Sequence, residues 1–177
     1  MMRDKKALFV TQAAMIAALY VVLTLFANLL GLANYAVQIR FSEALTVLPF
    51  FTPAAIPGLT VGCLLSNLLT GCLPFDVAFG SVATLLGAAG TYLLRKHVWA
   101  APIPPILANV LIVPFILAYV YQFEGSIPYF MLTVGIGEIL SCGVLGMALL
   151  GILNKYRGVI FKTEASVGTK RIENTKS

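Results

Sequence analysis

Apolar residues form long segments of this chain, and short polar stretches separate them. A bilayer core about 30 Å thick requires about 20 apolar residues in a helix that rises about 1.5 Å per residue. Most of the segments approach or exceed that length, and one is shorter, with a polar outer half. The pattern predicts an all-α integral membrane protein with six transmembrane helices, at residues 7–30, 35–51, 54–73, 77–94, 102–121 and 127–153.

Basic residues fall on one side of the predicted membrane. If the N-terminus is inside, the inner segments carry most of the Lys and Arg residues, whereas the outer segments carry Arg40 beside acidic residues. Because cytoplasmic loops of membrane proteins are rich in Lys and Arg, both termini are expected to be cytoplasmic. The inner basic residues are Arg3, Lys5, Lys6, Arg95, Lys96, Lys155, Arg157 and Lys162.

Composition supports a multi-pass protein of the cell membrane. Only 11% of the residues are charged and the mean hydropathy is +0.93, whereas about a quarter of a soluble domain is charged. The net charge of +5 follows from the basic helix ends, so it does not indicate a nucleic acid partner. We expect one membrane domain at residues 1–157 and a polar cytoplasmic tail at residues 158–177. The first apolar segment is too long for a cleavable signal.

Motifs typical of enzymes and nucleotide-binding domains are missing from the sequence. No P-loop, GxGxxG, HExxH or paired CxxC occurs. The chain is therefore not expected to be an enzyme or to hold a metal or cofactor, and any energised transport must draw its energy from an ion gradient or from a partner. Cys63, Cys72 and Cys142 show no metal-binding spacing and are expected to be small packing residues.

Glu138 lies in the middle of the last apolar segment, in the stretch VGIGEILSC. Ionisable groups inside a membrane are costly and usually functional. Glu138 and Asn109 each lie about 12 residues, or about 18 Å, from the outer end of their antiparallel helices, so we expect them at similar depth. Together with polar residues nearer the outside they predict a pocket that opens outward. These further residues are Asn67, Asp76, Glu43, Arg40 and Gln38.

Most of these residues also have a less specific explanation. Hydrogen bonds between helices would explain the two Asn residues, and an N-cap of the fourth helix would explain Asp76. A weak interfacial ion pair would explain Arg40 and Glu43. Glu138 is hardest to explain in this way, because its charged form needs Arg40, water or a cationic ligand.

Small residues recur at four-residue spacing on two of the predicted helices. The first helix carries the AxxxA pairs Ala13/Ala17 and Ala14/Ala18, and residues 58–62 form a small-xxx-small pair. Such pairs let helix backbones approach closely. Spacing alone favours packing inside the subunit, and docking of one alanine face on another subunit is the alternative.

Four stretches are specific enough to suggest a family: VQIRFSEAL (37–45), LPFFTPAAIPGLTVGCLLSNLLTG (48–71), LPFDVAFGSVATLLGA (73–88) and GEIL (137–140). In these stretches the chain resembles the substrate-binding S components of energy-coupling factor (ECF) transporters. Among them it resembles the QueT type, which is associated with uptake of queuosine precursors, and the resemblance covers nearly all of residues 7–157. It implies a six-helix subunit that binds a vitamin-like solute from outside.

The resemblance also implies partners and a docking face. The partners are the lipid bilayer and an ECF module of one transmembrane coupling subunit and two ATPases. Either Ala13 and Ala17 or Ala14 and Ala18 would contact the coupling subunit, and the sequence does not choose between the two pairs.

The ligand that the resemblance implies is a 7-deazaguanine, expected in its aminomethyl form. A carboxylate can accept the adjacent ring and amino N–H groups together, and a second carboxylate can neutralise the ammonium. Glu138 and Glu43 are expected in these two roles, with Asp76 as a substitute. Asn67 and Asn109 would complement the remaining polar edge. The aromatic residues considered for stacking are Tyr35, Phe75, Tyr119 and Phe123.

Two other functions remain open at this point. One is an S component for another vitamin-like solute, and the other is an ion-coupled carrier that works alone. A lone carrier needs a polar pathway across the membrane, and the inner halves of the predicted helices offer almost no polar residues.

Overall fold

The computed structural model describes residues 2–32 and 39–156, and every regular element within these ranges is helical. Four helical segments there are long and apolar enough to cross a membrane, and two apolar helices are shorter. The predicted all-α membrane protein is thereby confirmed. The number of six crossings stays a prediction, because α-helical length alone does not carry the two shorter helices across a bilayer.

The elements follow one another along the chain with short connections. Helix α1 (Met2–Leu29) precedes a 3₁₀ helix (Phe41–Phe50), which is followed by α2 (Ala55–Leu69) and α3 (Pro74–Leu93). A short 3₁₀ turn (Val98–Ala100) leads into α4 (Ile103–Tyr119). The last segment continues from α5 (Ile127–Glu138) through a π-helical stretch (Ile139–Leu145) into α6 (Gly146–Lys155).

The predicted helix at residues 35–51 is a 3₁₀ helix from Phe41 onward, and it lies at the centre of the bundle. It packs against α1, α3, the π-helical stretch and α6. Val47 and Thr46 are completely buried, and Glu43 is only 2% exposed. The sequence predicted a short helix with a polar outer half, and the structure encloses the polar side chains of the 3₁₀ helix among the other helices.

Glycines let α1 and α2 approach closely. A Cβ atom at Gly62 would lie 2.7 Å from Tyr20 Cβ and 3.1 Å from Ala17 Cα, and one at Gly58 would lie 2.7 Å from the Ala13 carbonyl oxygen. Ala13 and Ala17 therefore belong to the packing interface inside the subunit. Because helix residues are about 100° apart, the other alanine pair lies on a different face, and it is exposed.

Replacing Gly62 by Ala should destabilise the protein, because the added methyl group overlaps Tyr20 and the α1 backbone. Overpacking of this kind lowers the folding stability by about 1–3 kcal/mol, and the better helix propensity of Ala offsets about 1 kcal/mol of that loss. The measurement is the thermal unfolding midpoint in detergent. Gly151→Ala is the matched control, since a Cβ atom there meets nothing within 4 Å. Equal midpoints for the two variants would contradict the close approach of α1 and α2.

Candidate functional site

A pocket of about 580 Å³ lies at one end of the helix bundle. The C-terminal ends of α1, α2 and α4 meet there with the N-terminal ends of α3 and α5, and Arg40 enters from the start of the 3₁₀ helix. In the predicted topology this is the outer end. The wall is formed by Thr24, Ala27, Asn28, Arg40, Asn67, Thr70, Cys72, Asp76, Val113, Ile116, Leu117, Tyr121, Phe123, Glu124, Tyr129, Phe130 and Thr133.

Asp76 is held in the pocket wall by a tyrosine that follows the neighbouring helix α4. The Tyr121 hydroxyl donates to Asp76 Oδ2 at 2.9 Å and accepts from the Leu73 backbone N–H at 3.3 Å. Burial, and then the neighbouring Asp76 carboxylate, raise the pKa of Tyr121 above its usual value, so the hydroxyl stays a donor at any physiological pH. The N-cap of α3 is Leu73 and Asp76 lies within its first turn, so the alternative prediction of an N-cap Asp is wrong.

Asn67 of α2 lies close to Asp76 of α3, and the glycine one turn after Asp76 leaves room for it. A Cβ atom at Gly80 would lie 3.1 Å from Asn67 Nδ2 and 3.5 Å from Asp76 Oδ1. The side chain of Asn67 also donates to Cys63 Sγ at 3.6 Å. An amide and a carboxylate on adjacent helices thus present acceptors and donors side by side in one wall of the pocket.

Aromatic residues border the same pocket. Tyr121 and Phe123 are stacked, with ring centroids 5.6 Å apart, and Tyr129 and Phe130 form an edge-to-face pair at 5.8 Å. The backbone of Gln122 adopts a left-handed conformation (φ 53), which turns the chain between the first two rings. Flat apolar surfaces beside polar groups suit a planar heterocycle.

Two carboxylates lie in a buried layer beneath the pocket. Oxygen atoms of Glu43 and Glu138 and the Cys142 Sγ atom all lie within 4.8 Å of one another. Asn109 faces both carboxylates. It lies one helical turn, or about 6 Å, deeper than the wall residue Val113. The predicted common depth of Glu138 and Asn109 agrees with this arrangement.

Hydrogen bonds hold each carboxylate from the side. The Tyr20 hydroxyl donates to Glu43 Oε1, and the Cys142 thiol donates to Glu138 Oε2 at 3.1 Å. Glu43 Oε2 is buried and accepts no hydrogen bond from the described residues. Arg40 acts electrostatically on both carboxylates. This layer therefore combines fixed carboxylates with one unfilled acceptor.

The layer is better suited to a hydrogen-bonding ligand than to a metal ion. Glu43, Glu138 and Cys142 offer three ligand atoms at suitable spacing. However, a thiol and two carboxylates are a mixed donor set, whereas hard cations prefer oxygen atoms and structural zinc sites usually combine thiolates with imidazoles. The thiol here donates its proton to a carboxylate instead of serving as a thiolate.

The predicted site residues divide into groups. Asn67, Asp76 and Arg40 lie in the pocket wall, whereas Glu43, Glu138 and Asn109 lie in the buried layer. Phe75 is 62% exposed and is not part of the wall formed by the described residues. The wall includes Phe123, whereas Tyr119 is exposed. Tyr35 and Gln38 lie outside the described residues.

Sequence reasoning missed the residues that support the carboxylates. Cys142 was predicted to be a small packing residue, and no role was predicted for Tyr20 or Tyr121. A hydroxyl or thiol in an apolar helix carries little signal of its own, because its partner comes from a distant part of the chain. One signal was available: Cys142 lies four residues after Glu138, and side chains at that spacing are neighbours on a helix.

Comparison with known proteins places these features in a family. Residues 10–155 match the family described as QueT transporter. The "Queuosine precursor transporter QueT" of Lactococcus lactis subsp. cremoris (strain MG1363) is 35% identical over 85 residues, which cover 48% of this chain and 50% of that protein. The chain thus spans about half the length of the curated relative it matches. No solved structure matches the chain.

Proposed function

Because the chain belongs to the QueT transporter family, we propose that it is the substrate-binding S component of an ECF-type importer and that it binds a queuosine precursor from outside. Family membership makes it a multi-pass membrane transport protein, in agreement with its apolar helices. The observation that carries the proposal is the pocket of about 580 Å³ directly above two buried carboxylates.

The proposed ligand is 7-aminomethyl-7-deazaguanine, bound with its ring in the pocket and its ammonium toward the carboxylate layer. The pocket volume falls in the range of about 300–1,000 Å³ that is usual for small-molecule sites. Asp76 and Asn67 meet the donor edge of the ring, and the aromatic pairs cover its faces. The Glu138 side chain is 8% exposed, and together with Glu43 it neutralises the ligand ammonium.

The proposed topology has six membrane crossings with both termini in the cytoplasm. The 3₁₀ helix rises about 2 Å per residue, so its ten residues extend about 20 Å, comparable to the 15 residues of α2. Each of these short helices is therefore long enough to span most of the thickness of the hydrocarbon core. Residues 1–157 form the membrane domain and residues 158–177 the polar tail.

The proposed coupling to ATP hydrolysis uses a partner. The exposed alanine pair on α1 docks on the transmembrane coupling subunit of an ECF module, whose two ATPases supply energy. Ala14 and Ala18 are the pair that fits this role, because both are exposed while Ala13 and Ala17 pack against α2.

The deciding experiment is calorimetric titration of the purified chain with 7-aminomethyl-7-deazaguanine, with riboflavin and thiamine as unrelated vitamin controls. We expect saturable one-to-one binding of the deazaguanine and none of the controls. Binding of a control vitamin instead would favour an S component for another solute. Uptake by the chain alone in ATP-free vesicles driven by an ion gradient would favour a stand-alone carrier.

A further inference from the structure

Glu43 and Glu138 are close together and shielded from water. Oxygen atoms of the two side chains lie within 4.8 Å of one another, and the side chains are only 2% and 8% exposed. Two carboxylates at such a distance repel one another, and removal from water disfavours each charge further. A pair of this kind is stable with both groups ionised only when enough positive charge surrounds it.

The groups around the pair supply little positive charge. Arg40, at the start of the 3₁₀ helix, acts on both carboxylates, but it acts on Asp76 as well. Arg40 can therefore balance one negative charge among three carboxylates. The other groups that face the pair are neutral in their ordinary forms: Tyr20 from α1, Cys63 from α2, Asn109 from α4 and Cys142 from the π-helical stretch.

One acceptor of the pair is also left unfilled. Glu43 Oε2 is buried without a hydrogen bond from the described residues, although Oε1 of the same side chain accepts from Tyr20. A buried acceptor without a donor costs about 1–3 kcal/mol. A single proton held by the pair turns one acceptor into a donor and removes one negative charge.

We propose that the Glu43–Glu138 pair holds one proton in the ligand-free protein and releases it to solvent when a cationic ligand group binds. One O–H bond breaks, the proton passes to water or buffer, and the ligand ammonium takes its place between two carboxylates. The charge in the buried layer is unchanged by this exchange. This inference rests on the proposed function, because it assumes that the ligand is a cation.

The number of protons released is measured by titration calorimetry in buffers of different ionisation enthalpy. For 7-aminomethyl-7-deazaguanine in mildly acidic buffer we expect release of about one proton per ligand. The affinity should accordingly rise about tenfold per pH unit until the pair loses its proton without ligand. The neutral compound 7-deazaguanine should release none. Binding of the cation without proton release, or equal release by both compounds, would overturn the exchange and leave the proposed function intact.

Two variants test whether the released proton comes from the Glu43–Glu138 pair. In Glu138→Gln the remaining Glu43 is balanced by Arg40, so we expect no release and an affinity that no longer depends on pH. Glu164→Gln, in the predicted polar tail outside the membrane domain, is the matched control and should keep the release of about one proton. Unchanged release in Glu138→Gln would refute the assignment.

A measurement without ligand provides an independent check. The infrared spectrum of the ligand-free protein should contain a band of a protonated carboxyl group that is missing from Glu138→Gln. If that band is absent from the unaltered protein, the pair holds no proton and the inference fails. If neither 7-aminomethyl-7-deazaguanine nor 7-deazaguanine binds, the proposed function fails. That outcome differs from binding without proton release and from a missing infrared band, which refute only the proton exchange.

Discussion

Replacing Glu138 by Gln is expected to weaken the binding of 7-aminomethyl-7-deazaguanine by about 30-fold or more in mildly alkaline buffer. Gln preserves the size of the side chain but removes one of the two charges that face the ligand ammonium. Loss of one partner of a buried charged pair costs about 2–5 kcal/mol, which corresponds to that change in affinity. Calorimetric titration of the purified variant provides the measurement. Alkaline buffer is chosen because competition between the proton and the ligand then lowers the affinity of the unaltered protein least.

Two controls separate a binding role from a folding role. The thermal unfolding midpoint of Glu138→Gln should equal that of the unaltered protein or exceed it, since Gln cannot add a second negative charge to the buried layer. Glu164→Gln should leave the affinity unchanged, because this carboxylate belongs to the predicted polar tail outside the membrane domain. Affinity that is unchanged in Glu138→Gln at every pH would remove this residue from the ligand site.

Enlarging Ala14 or Ala18 to Leu is expected to reduce uptake by cells more than tenfold while the isolated chain still binds its ligand. Both residues lie on the exposed face of α1, where a small side chain permits another helix to approach closely. A larger side chain separates the two helices and so disrupts the proposed contact with the coupling subunit. The measurements are uptake of labelled ligand by cells that contain the ECF module, and calorimetric binding by the purified chain.

A control on the same helix tests whether this effect is specific to one face. Leu19 is 53% exposed and lies about 100° around α1 from Ala18, so Leu19→Trp adds bulk on a surface that faces lipid. This variant should transport normally. Normal uptake by both alanine variants would refute the docking face, and loss of ligand binding in either of them would indicate a folding defect instead.

The apolar pattern was sufficient to predict the helical architecture but not the form of every helix. Segment length predicted the long helices, because a bilayer sets the number of apolar residues directly. It could not reveal that residues 41–50 form a 3₁₀ helix, since both helix types tolerate the same apolar composition. The π-helical stretch Ile139–Leu145 was hidden for the same reason.

The candidate site was predictable where a residue is unusual in its surroundings. Glu138 and Asn109 stand out because polar groups are rare in an apolar segment, and helix rise placed them at a common depth. Spacing favoured internal packing of an alanine pair but could not select Ala13 and Ala17, because the choice depends on which face of α1 meets the glycines of α2. Pairings such as Tyr121 with Asp76 join residues that are 45 positions apart, and no local pattern encodes them.

The π-helical stretch sets the rotation of α6 relative to α5. A π segment contains one residue more than the α-helical turn it replaces. If the same residues formed a regular α-helix instead, α6 would be rotated by about 100°. Gly146, where a Cβ atom would lie 3.0 Å from Val47 Cγ1, would then turn away from the 3₁₀ helix. The π-helical stretch therefore holds the glycine of α6 against the 3₁₀ helix.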